Sequence, residues 1–295
     1  MGQIILGLDE AGYGPNLGPL VVALTAWEAS TERLSHLAQP LADAGILIGD
    51  SKKLYKSNSP DGLQQKVFRT GVLVPLLSLH QKAKDEIYHN TMTPKDYSHA
   101  AALAKTFDTI LQQHHIRLLD MQYRSVEPEE FNQILNRLNS KGELLSHITL
   151  RLVFDQLETI IAAGHRVRSI LIFCDKHGGR NYYLDLLTEF FPGEFIQVLE
   201  QGRQSSVYRL TWSGRSLEFR FLAKGESELP IALASMYAKY VREIAMFEFN
   251  AFWQSHVPDL RATAGYPEDA RRFKEAIAEV QQRLGIPDSS LWRSR

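Results

Sequence analysis

The opening segment, residues 4–24, constrains the fold more than any other part of the chain. It reads IILGLDEAGYGPNLGPLVVAL: an apolar run ending in Asp9 and Glu10, a glycine-rich turn (residues 12–18), and a second apolar run. Apolar runs bounded by glycine and proline are typical of buried strands. The segment therefore predicts a strand–turn–strand unit with two carboxylates at its bend.

Asp9 and Glu10 place two negative charges side by side. Each carboxylate raises the pKa of the other unless a positive charge compensates. Hard divalent cations prefer carboxylate oxygens, so the pair is typical of a metal site. A solvated acidic pair at a turn is the alternative, because surface carboxylates are common.

The glycines at 12 and 14 follow a strand, as they do in dinucleotide-binding folds. Such folds need a helix that begins within the glycines, so that a phosphate meets the helix N-terminus. Here Pro15 and Pro19 follow, and then a strand-like run at 20–27. A hairpin offers no such helix end, so we expect no organic cofactor.

Composition and charge narrow the classes of function. The 295 residues carry a formal net charge of −1, so any nucleic-acid site depends on local lysines and arginines. Cys174 is the only cysteine, which rules out disulfides within the chain and suits a reducing compartment. No apolar run approaches membrane-spanning length, and residues 1–3 leave no room for a signal peptide before the first strand. We expect a cytoplasmic protein without a membrane partner.

Strands followed by C-terminal helices predict a single α/β domain with a C-terminal helical appendage. The run at 71–79 is apolar but broken by Pro75, and we interpret it as the start of a strand or as a covering segment. Pro128 signals a helix start. Beyond the opening hairpin, strands are predicted at 116–123, 169–174, 207–212 and 217–222, and helices at 60–70, 97–113, 145–163, 230–255 and 268–284.

Acidic residues follow three of the predicted strands. Asp9 and Glu10 end the first, Asp175 follows a second, and Glu226 and Glu228 follow a third. If these strands are neighbours in the sheet, the carboxylates meet and can hold two Mg²⁺ or Mn²⁺ ions about 3.5–4 Å apart. Such a pair activates water and stabilises a leaving oxygen. The pattern favours a metal-dependent nuclease or phosphotransfer enzyme.

Five sequence blocks resemble the type 2 ribonucleases H, that is, ribonuclease HII and its relative HIII. Any one block is weak, whereas five in order over residues 4–267 are specific. The resemblance implies a ribonuclease H-like α/β fold, in which a mixed β-sheet is flanked by helices. The blocks are 7–14 with 18–23, 50–54, 169–175, 224–226 with 231–243, and 265–267.

The resemblance also implies an activity, which is endonucleolytic cleavage of the RNA strand of an RNA–DNA hybrid. The products would carry 3′-hydroxyl and 5′-phosphate ends. Two Mg²⁺ or Mn²⁺ ions are the implied cofactors. By motif position, the implied catalytic and metal-binding acids are Asp9, Glu10, Asp175 and Glu226.

Substrate contacts are implied by the same blocks. The turn formed by Gly12, Tyr13 and Gly14 would contact the 2′-hydroxyl of the scissile ribonucleotide. Tyr266 would stack on a sugar near the RNA–DNA junction. Phosphate contacts, whose contribution weakens with salt, would come from Lys52, Lys53, Lys224 and Lys239.

Several positions depart from the family's pattern. Tyr13 stands where ribonuclease HII has arginine, and a tyrosine cannot make a charged phosphate contact; the preference between a single embedded ribonucleotide and a long hybrid stays open. Glu226 ends the acidic quartet as in HIII, whereas HII uses aspartate, and Glu228 is an alternative fourth ligand. Lys176 follows the third acid where HII has glycine, and a cation there can contact phosphate or oppose metal binding.

Two further residues have a structural as well as a functional interpretation. His177 can relay a proton near the metals, but a plain turn histidine is the commoner role. Asp50 can be catalytic, but its carboxylate can equally cap a helix by accepting backbone donors, and we favour the cap.

We expect residues 1–255 to form the catalytic domain, with an insertion at about 75–120, and residues 256–295 to form a helical segment that contacts substrate. The main hypothesis is a two-metal ribonuclease for RNA–DNA hybrids. One alternative is a non-catalytic hybrid-binding paralogue, in which Tyr13 and Lys176 mark lost cleavage. Another is a nuclease for a different structured nucleic acid. The sequence identifies no protein partner.

Overall fold

The structure is a computed structural model that describes residues 3–55, 63–79, 94–138, 140–165 and 167–294. Seven strands form in these ranges. They are β1 (Ile4–Ala11), β2 (Leu20–Glu28), β3 (Arg117–Val126), β4 (Ser169–Asp175), β5 (Gln197–Gln201), β6 (Ser205–Trp212) and β7 (Arg215–Leu222).

Helices cover the sheet and continue beyond it. None of the helices in the described ranges is long and apolar enough to cross a membrane. They are α1 (Thr31–Ser35), α2 (Ala38–Asp43), α3 (Ser51–Leu54), α4 (Leu63–Leu79), α5 (Pro94–Gln113), α6 (Pro128–Leu138), α7 (Lys141–Ala162), α8 (Leu184–Phe190), α9 (Leu229–His256), α10 (Pro267–Arg283) and α11 (Asp288–Leu291), with a 3₁₀ turn at Gly225–Ser227.

The strands form one mixed sheet in the order β3-β2-β1-β4-β7-β6-β5. The β1–β2 hairpin is antiparallel, whereas β4 pairs in parallel with β1 on one side and with β7 on the other. Because β1, β4 and β7 run in the same direction, their C-terminal ends lie at one edge of the sheet. The predicted acids Asp9, Glu10, Asp175 and Glu226 lie at this edge.

Both faces of the sheet are buried at its central strands β1, β2 and β4, which explains why these three are apolar runs rather than alternating patterns. Ile4, Leu6 and Leu8 of β1 pack on one side with residues of α6, α7 and α8. Ile5 packs on the opposite side with residues of α4, α5 and α9. The mixed sheet between two helical layers confirms the predicted fold class.

Helix α9 lies against β1 at a point where a side chain would not fit. A Cβ on Gly7 would lie 2.2 Å from the carbonyl carbon of Pro230, so glycine is required for this close approach. The carbonyl oxygen of Pro230 also accepts a hydrogen bond from Thr25 Oγ1 at 2.9 Å. The start of α9 is therefore fixed over the strand that ends in Asp9 and Glu10.

The C-terminal helices form a smaller core of their own. Trp253 of α9 packs there with Phe273 and Ile277 of α10, and Leu17 of the glycine-rich turn belongs to the same cluster. The predicted C-terminal helical region is confirmed, and it packs directly against the turn beside the acids.

Two elements differ from the sequence prediction. The prediction that a strand starts within 71–79 is wrong, because these residues belong to α4 with Pro75 inside it. Val72 and Leu76 are among a nearly unbroken set of buried residues there, and a helix buried on most sides shows no clear 3.6-residue period. Strand β5 was missed because all five of its residues are exposed, so it lacks an apolar pattern.

Part of the proposed insertion at 75–120 falls outside the described residues, at 80–93, as do residues 60–62 of a predicted helix. Within the described part, Phe107 of α5 is fully buried in the core under the sheet. The domain bounds 1–255 and 256–295 remain predictions.

Candidate active site

A cavity of about 740 Å³ lies at the sheet edge where β1, β4 and β7 end. All four predicted acids line it: Asp9, Glu10, Asp175 and Glu226. We call it the acidic cavity. Side chains from three separate segments of the chain thus meet in one place.

Strand register explains why they meet. Leu8 of β1 pairs with Cys174 of β4, so the next residues, Asp9 and Asp175, reach the same level of the sheet. The loop after β7 is tied to β4 because Gly225 N donates to Asp175 Oδ1 at 3.0 Å. Glu226 follows directly and is thereby placed beside Asp175.

The carboxylates of the acidic cavity interact unfavourably. Burial, followed by the charges of Asp175 and Glu226, raises the pKa of Asp9 to about 7 from its ordinary 3.8. Burial and the charge of Asp9 raise the pKa of Glu10 well above its ordinary value. Burial also raises the pKa of Asp175, with a further contribution from Glu226. A bound cation would offset the repulsion among these carboxylates.

Lys52 supplies part of this compensation. Its Nζ lies 3.3 Å from Glu226 Oε1, and the charge of Glu226 raises the pKa of Lys52. Helix α3 presents this lysine, and its N-cap is Asp50, whose side chain accepts from Lys52 N at 2.9 Å. The predicted capping role of Asp50 is confirmed.

A second lysine lines the cavity on α9. The ammonium of Lys239 lies 3.9 Å from the ring centroid of Tyr55, a cation–π distance. The hydroxyl of Tyr55 donates to Glu243 Oε2 at 2.7 Å. Tyr55 and Glu243 both line the acidic cavity, and neither was predicted from the sequence. The signal for Glu243 was its position four residues after Lys239, on the same helix face.

The glycine-rich turn forms another wall. Gly12 has a φ of +84°, and a Cβ there would lie 2.5 Å from both Arg242 Nε and Pro19 O. Only glycine fits this conformation and this close approach. Tyr13 also lines the cavity. Its hydroxyl lies close to the backbone of Gly178, because a Cβ on Gly178 would come within 2.5 Å of it.

Two serines connect α3 and α9 to the first acid. Ser51 Oγ and Ser235 Oγ lie 3.1 Å apart and are buried. A hydrogen bond from Ser235 lowers the pKa of Asp9, against the larger effect of burial. This link was not predicted from the sequence, since nothing in the spacing of the two serines indicates contact.

Not every predicted substrate residue reaches the cavity. Lys52, Lys239, Gly12, Tyr13 and the exposed ring of Tyr266 line it. The residues that the lining does not include are Gly14, Lys53 and Lys224. Lys53 faces Asp50 instead, at 3.6 Å.

Glu226 and Glu228, the two alternatives for the fourth acid, lie in different places. Glu226 lines the acidic cavity. Glu228 lines a separate cavity together with Glu218 and Arg220. The geometry therefore favours Glu226 as the fourth carboxylate.

His177 and Lys176, next to the third acid, have structural contacts. His177 is buried, its Nδ1 lies 2.9 Å from Ser146 Oγ, and burial lowers its pKa to about 3. A buried neutral imidazole of this kind is a packing residue rather than a proton relay. The ammonium of Lys176 donates to Gly202 O at 2.6 Å and to Ser206 Oγ at 3.0 Å, and it is not part of the cavity lining. Its direct contact with phosphate or metal is not supported.

The donor set suits a hard divalent cation, because four carboxylates share one cavity and the pKa values of Asp9, Glu10 and Asp175 are raised there. In the described part of the chain, however, no three acidic, histidine or cysteine side chains are already arranged to hold a metal ion.

Comparison with protein-family models and with curated proteins gave no match. Among solved structures, ribonuclease H2 from Pyrococcus horikoshii OT3 is 18% identical, with 98% of this chain and 92% of that chain covered and a TM-score of 0.47. RNase HII from Archaeoglobus fulgidus, solved as a complex with PCNA, is 16% identical, with 99% and 94% covered and a TM-score of 0.41. Bst-RNase HIII in complex with Mn²⁺ is 15% identical, with 99% and 66% covered and a TM-score of 0.45. Over nearly its whole length, this chain resembles solved structures of ribonucleases HII and HIII.

Proposed function

We propose that this chain is a metal-dependent endoribonuclease that hydrolyses the RNA strand of RNA–DNA hybrids to 3′-hydroxyl and 5′-phosphate ends. The observation that supports it best is the acidic cavity itself. Four carboxylates from three chain segments meet there, and burial together with mutual repulsion raises the pKa of Asp9 to about 7. A chain gains nothing in stability from such a set, so a role in binding cations is its natural explanation.

Asp9, Glu10, Asp175 and Glu226 would hold Mg²⁺ or Mn²⁺. Bound divalent ions supply an activated water and charge stabilisation at a departing oxygen. The protein keeps the carboxylates in reach of one another through the parallel pairing of β1 with β4 and of β4 with β7. Gly225, which donates to Asp175 Oδ1, orients that carboxylate.

The substrate side of the cavity carries cations and aromatic rings. Lys52 and Lys239 would contact phosphates of the hybrid, and their contribution to affinity would weaken with salt. Tyr266, which is 58% exposed, would stack on a sugar. The backbone of Gly12 and Tyr13 would contact the 2′-hydroxyl, the group that distinguishes RNA from DNA. The substrate class itself rests on the sequence blocks described above.

Purified protein should be incubated with Mg²⁺ or Mn²⁺ and three end-labelled duplexes: all DNA, DNA with one embedded ribonucleotide, and an uninterrupted RNA–DNA hybrid. We expect cleavage of the RNA strand of the long hybrid, with 3′-hydroxyl ends, and no cleavage of DNA. Cleavage of the singly substituted duplex would show that Tyr13 tolerates an isolated ribonucleotide.

Other outcomes separate the alternatives. Hybrid binding without cleavage under either metal would favour the non-catalytic paralogue. Cleavage of a branched all-DNA junction but of none of the three duplexes would favour a nuclease for another structured substrate. Neither binding nor cleavage of any RNA-containing duplex would contradict the proposal.

A further inference from the structure

Two arginines lie buried beneath the glycine-rich turn. Arg242 on α9 is 6% exposed, and Arg293, which follows α11, is fully buried. The sequence blocks give neither residue a role. Both guanidinium groups donate to backbone carbonyl oxygens of the turn.

Arg242 joins three elements of the cavity wall. From α9, its Nη2 donates to Leu17 O at 3.3 Å and to Ala264 O at 3.0 Å. Leu17 belongs to the glycine-rich turn, and Ala264 lies two residues before Tyr266. The Nε of Arg242 lies against Gly12, 2.5 Å from the point where a Cβ on that residue would lie. Arg242 itself lines the acidic cavity.

Arg293 holds the same turn from the other side. Its side chain donates to Pro15 O and its backbone N donates to Asn16 O, the latter at 2.8 Å. Together with the bond to Leu17, three successive carbonyl oxygens of the turn are held by the two arginines. The turn is thereby fixed to α9 and to the segment after α11.

The two turns are also tied to each other. Asn16 N and Leu17 N both donate to Gly265 O, at 2.7 and 3.3 Å. Gly265 directly precedes Tyr266. The glycine-rich turn and the turn that carries Tyr266 therefore form one unit, and Arg242 bonds to both parts of it.

The burial of these two arginines is unfavourable for the stability of the fold. Among the described residues neither guanidinium has a carboxylate within ion-pair distance, and the charges of Glu243 and Glu127 offset only part of the desolvation of Arg242 and Arg293. Burial, followed by the charge of Arg242, lowers the pKa of Arg293 to about 9. An apolar residue of similar size would stabilise the fold at lower cost. The turn that both arginines hold forms a wall of the acidic cavity, through Gly12 and Tyr13.

We propose that Arg242, assisted by Arg293, is a positioning residue that holds the glycine-rich turn and Tyr266 at a fixed distance from the carboxylates. A substrate strand lying across the cavity would then meet the turn, Tyr266 and the acids at once. This inference rests on the proposed function, because it assigns the two turns to substrate binding.

The chain offers a matched control for Arg242. Arg272 on α10 holds the same loop two residues earlier, since its Nη2 donates to Arg261 O at 3.1 Å and to Ala262 O at 3.3 Å. It forms an ion pair with Asp269 and lies outside the acidic cavity. Arg242→Met, Arg242→Lys and Arg272→Met can therefore be compared as losses of the same kind of bond at two places.

The first measurement is hydrogen exchange of the free protein, which needs no substrate. Loss of hydrogen bonds from a charged donor weakens local protection, so the amides of Asn16 and Leu17 should exchange about tenfold to a hundredfold faster in Arg242→Met. Arg272→Met should leave them unchanged. Arg242→Lys should give an intermediate rate, and it keeps the comparison usable if Arg242→Met fails to fold.

The second measurement is steady-state cleavage of the hybrid by the same variants. Loss of a fixed binding surface should raise KM about tenfold with kcat nearly unchanged, and Arg242→Lys should recover part of the loss. Exchange at Asn16 and Leu17 equal to that of Arg272→Met would overturn the inference. So would a lower melting temperature with KM unchanged, which indicates a merely structural role. If the wild type neither cleaves nor binds any hybrid, the proposed function and the substrate part of this inference fall, and the exchange rates still decide whether Arg242 holds the two turns together.

Discussion

The ammonium of Lys52 lies 3.3 Å from Oε1 of Glu226, although 174 positions separate them in the chain. This ion pair crosses the mouth of the acidic cavity from α3 to the turn after β7. The Lys52 side chain is 81% exposed, whereas that of Glu226 is 16% exposed. The lysine is thus accessible to a ligand while the carboxylate faces inward.

Replacing Lys52 by methionine tests whether this cation serves substrate rather than stability. An exposed ion pair contributes little, so we expect the free energy of unfolding to change by less than about 0.5 kcal/mol. Hybrid affinity should fall, and the slope of log K against log salt should decrease by about one. Fluorescence anisotropy at several salt concentrations, in an Asp9→Asn background that prevents cleavage, measures both quantities.

Arg151→Met is the control for Lys52→Met. Arg151 is an exposed cation of α7 that pairs with Asp155 and lines a different cavity. Its replacement should leave the salt slope unchanged. Equal slopes for Asp9→Asn with and without Lys52→Met would show that Lys52 does not contact phosphate.

Asp9→Asn tests the acidic cavity as a metal site. The amide carries no charge to hold a cation, and the loss of several kcal/mol of charge stabilisation corresponds to a decrease in the cleavage rate of about a thousandfold. Hybrid affinity should stay close to that of the wild type, because Asp9 lies beneath the substrate surface. Gel assays with Mg²⁺ and with Mn²⁺ measure cleavage. Asp155→Asn, an exposed acid on α7, should retain full activity, and unchanged activity in Asp9→Asn would remove the assignment.

Glu226 and Glu228 provide a matched pair for the fourth carboxylate. Glu226→Gln should reduce cleavage strongly and weaken Mn²⁺ binding measured by calorimetry, because Glu226 shares the cavity with Asp9 and Asp175. Glu228→Gln should do neither, since Glu228 lines a separate cavity. The reverse ranking would place the fourth ligand at Glu228 and would require the 3₁₀ turn to rearrange when metal binds.

Local features were predictable from the sequence because their causes are local. Strand β1, which carries Asp9, is predicted by its apolar run. The cap at Asp50 and the helix start at Pro128 follow from residue type and spacing. Each of these depends on a few neighbouring residues.

The meeting of the acids could be inferred only through a resemblance to known proteins. It depends on the pairing of Leu8 with Cys174, and no spacing along the chain encodes which strands become neighbours. Contacts such as those of Arg293 with the glycine-rich turn are equally long-range. Lys176 is a case in which proximity in the sequence misleads. Its position beside Asp175 suggested a role in the site, whereas its ammonium donates to Gly202 O.

The raised pKa of Asp9 predicts how stability depends on pH in the metal-free protein. The native carboxyl keeps its proton up to about pH 7, whereas the unfolded one loses it near its ordinary 3.8. The folded state therefore binds more protons between these values, and stability falls as pH rises through this window. Glu10 and Asp175, whose pKa values are also raised, act in the same direction.

Urea unfolding at several pH values in the presence of a chelator measures this dependence. His177 acts in the opposite direction between pH 6.5 and about 3, because burial lowers its native pKa to about 3, so the informative quantity is the difference between Asp9→Asn and the wild type at each pH. Asp9→Asn should become relatively more stable as pH rises from 4 to 7, and Mg²⁺ should restore stability to the wild type at pH 8 but less to the variant. A difference that does not vary with pH would show that Asp9 is ionised in the folded, metal-free protein.

Lys176→Met distinguishes a structural lysine from a substrate-binding one. The ammonium of Lys176 has four oxygen atoms within hydrogen-bond distance of its three N–H groups, and these belong to Arg180, Asn181, Gly202 and Ser206. Its loss removes the charged donor from these partly buried acceptors, so we expect a destabilisation of about 2 kcal/mol and a melting temperature lower by about 5 °C. Hybrid affinity and its salt slope should not change, because this ammonium lies outside the acidic cavity.

Lys105→Met, at an exposed position of α5, controls for the loss of one positive charge and should alter neither the melting temperature nor the affinity. A weaker, less salt-dependent affinity in Lys176→Met without a change in melting temperature would instead mean that this lysine leaves its turn and contacts phosphate. The cation beside the third acid would then belong to the substrate site, and the contacts with Gly202 and Ser206 would describe only the protein without substrate.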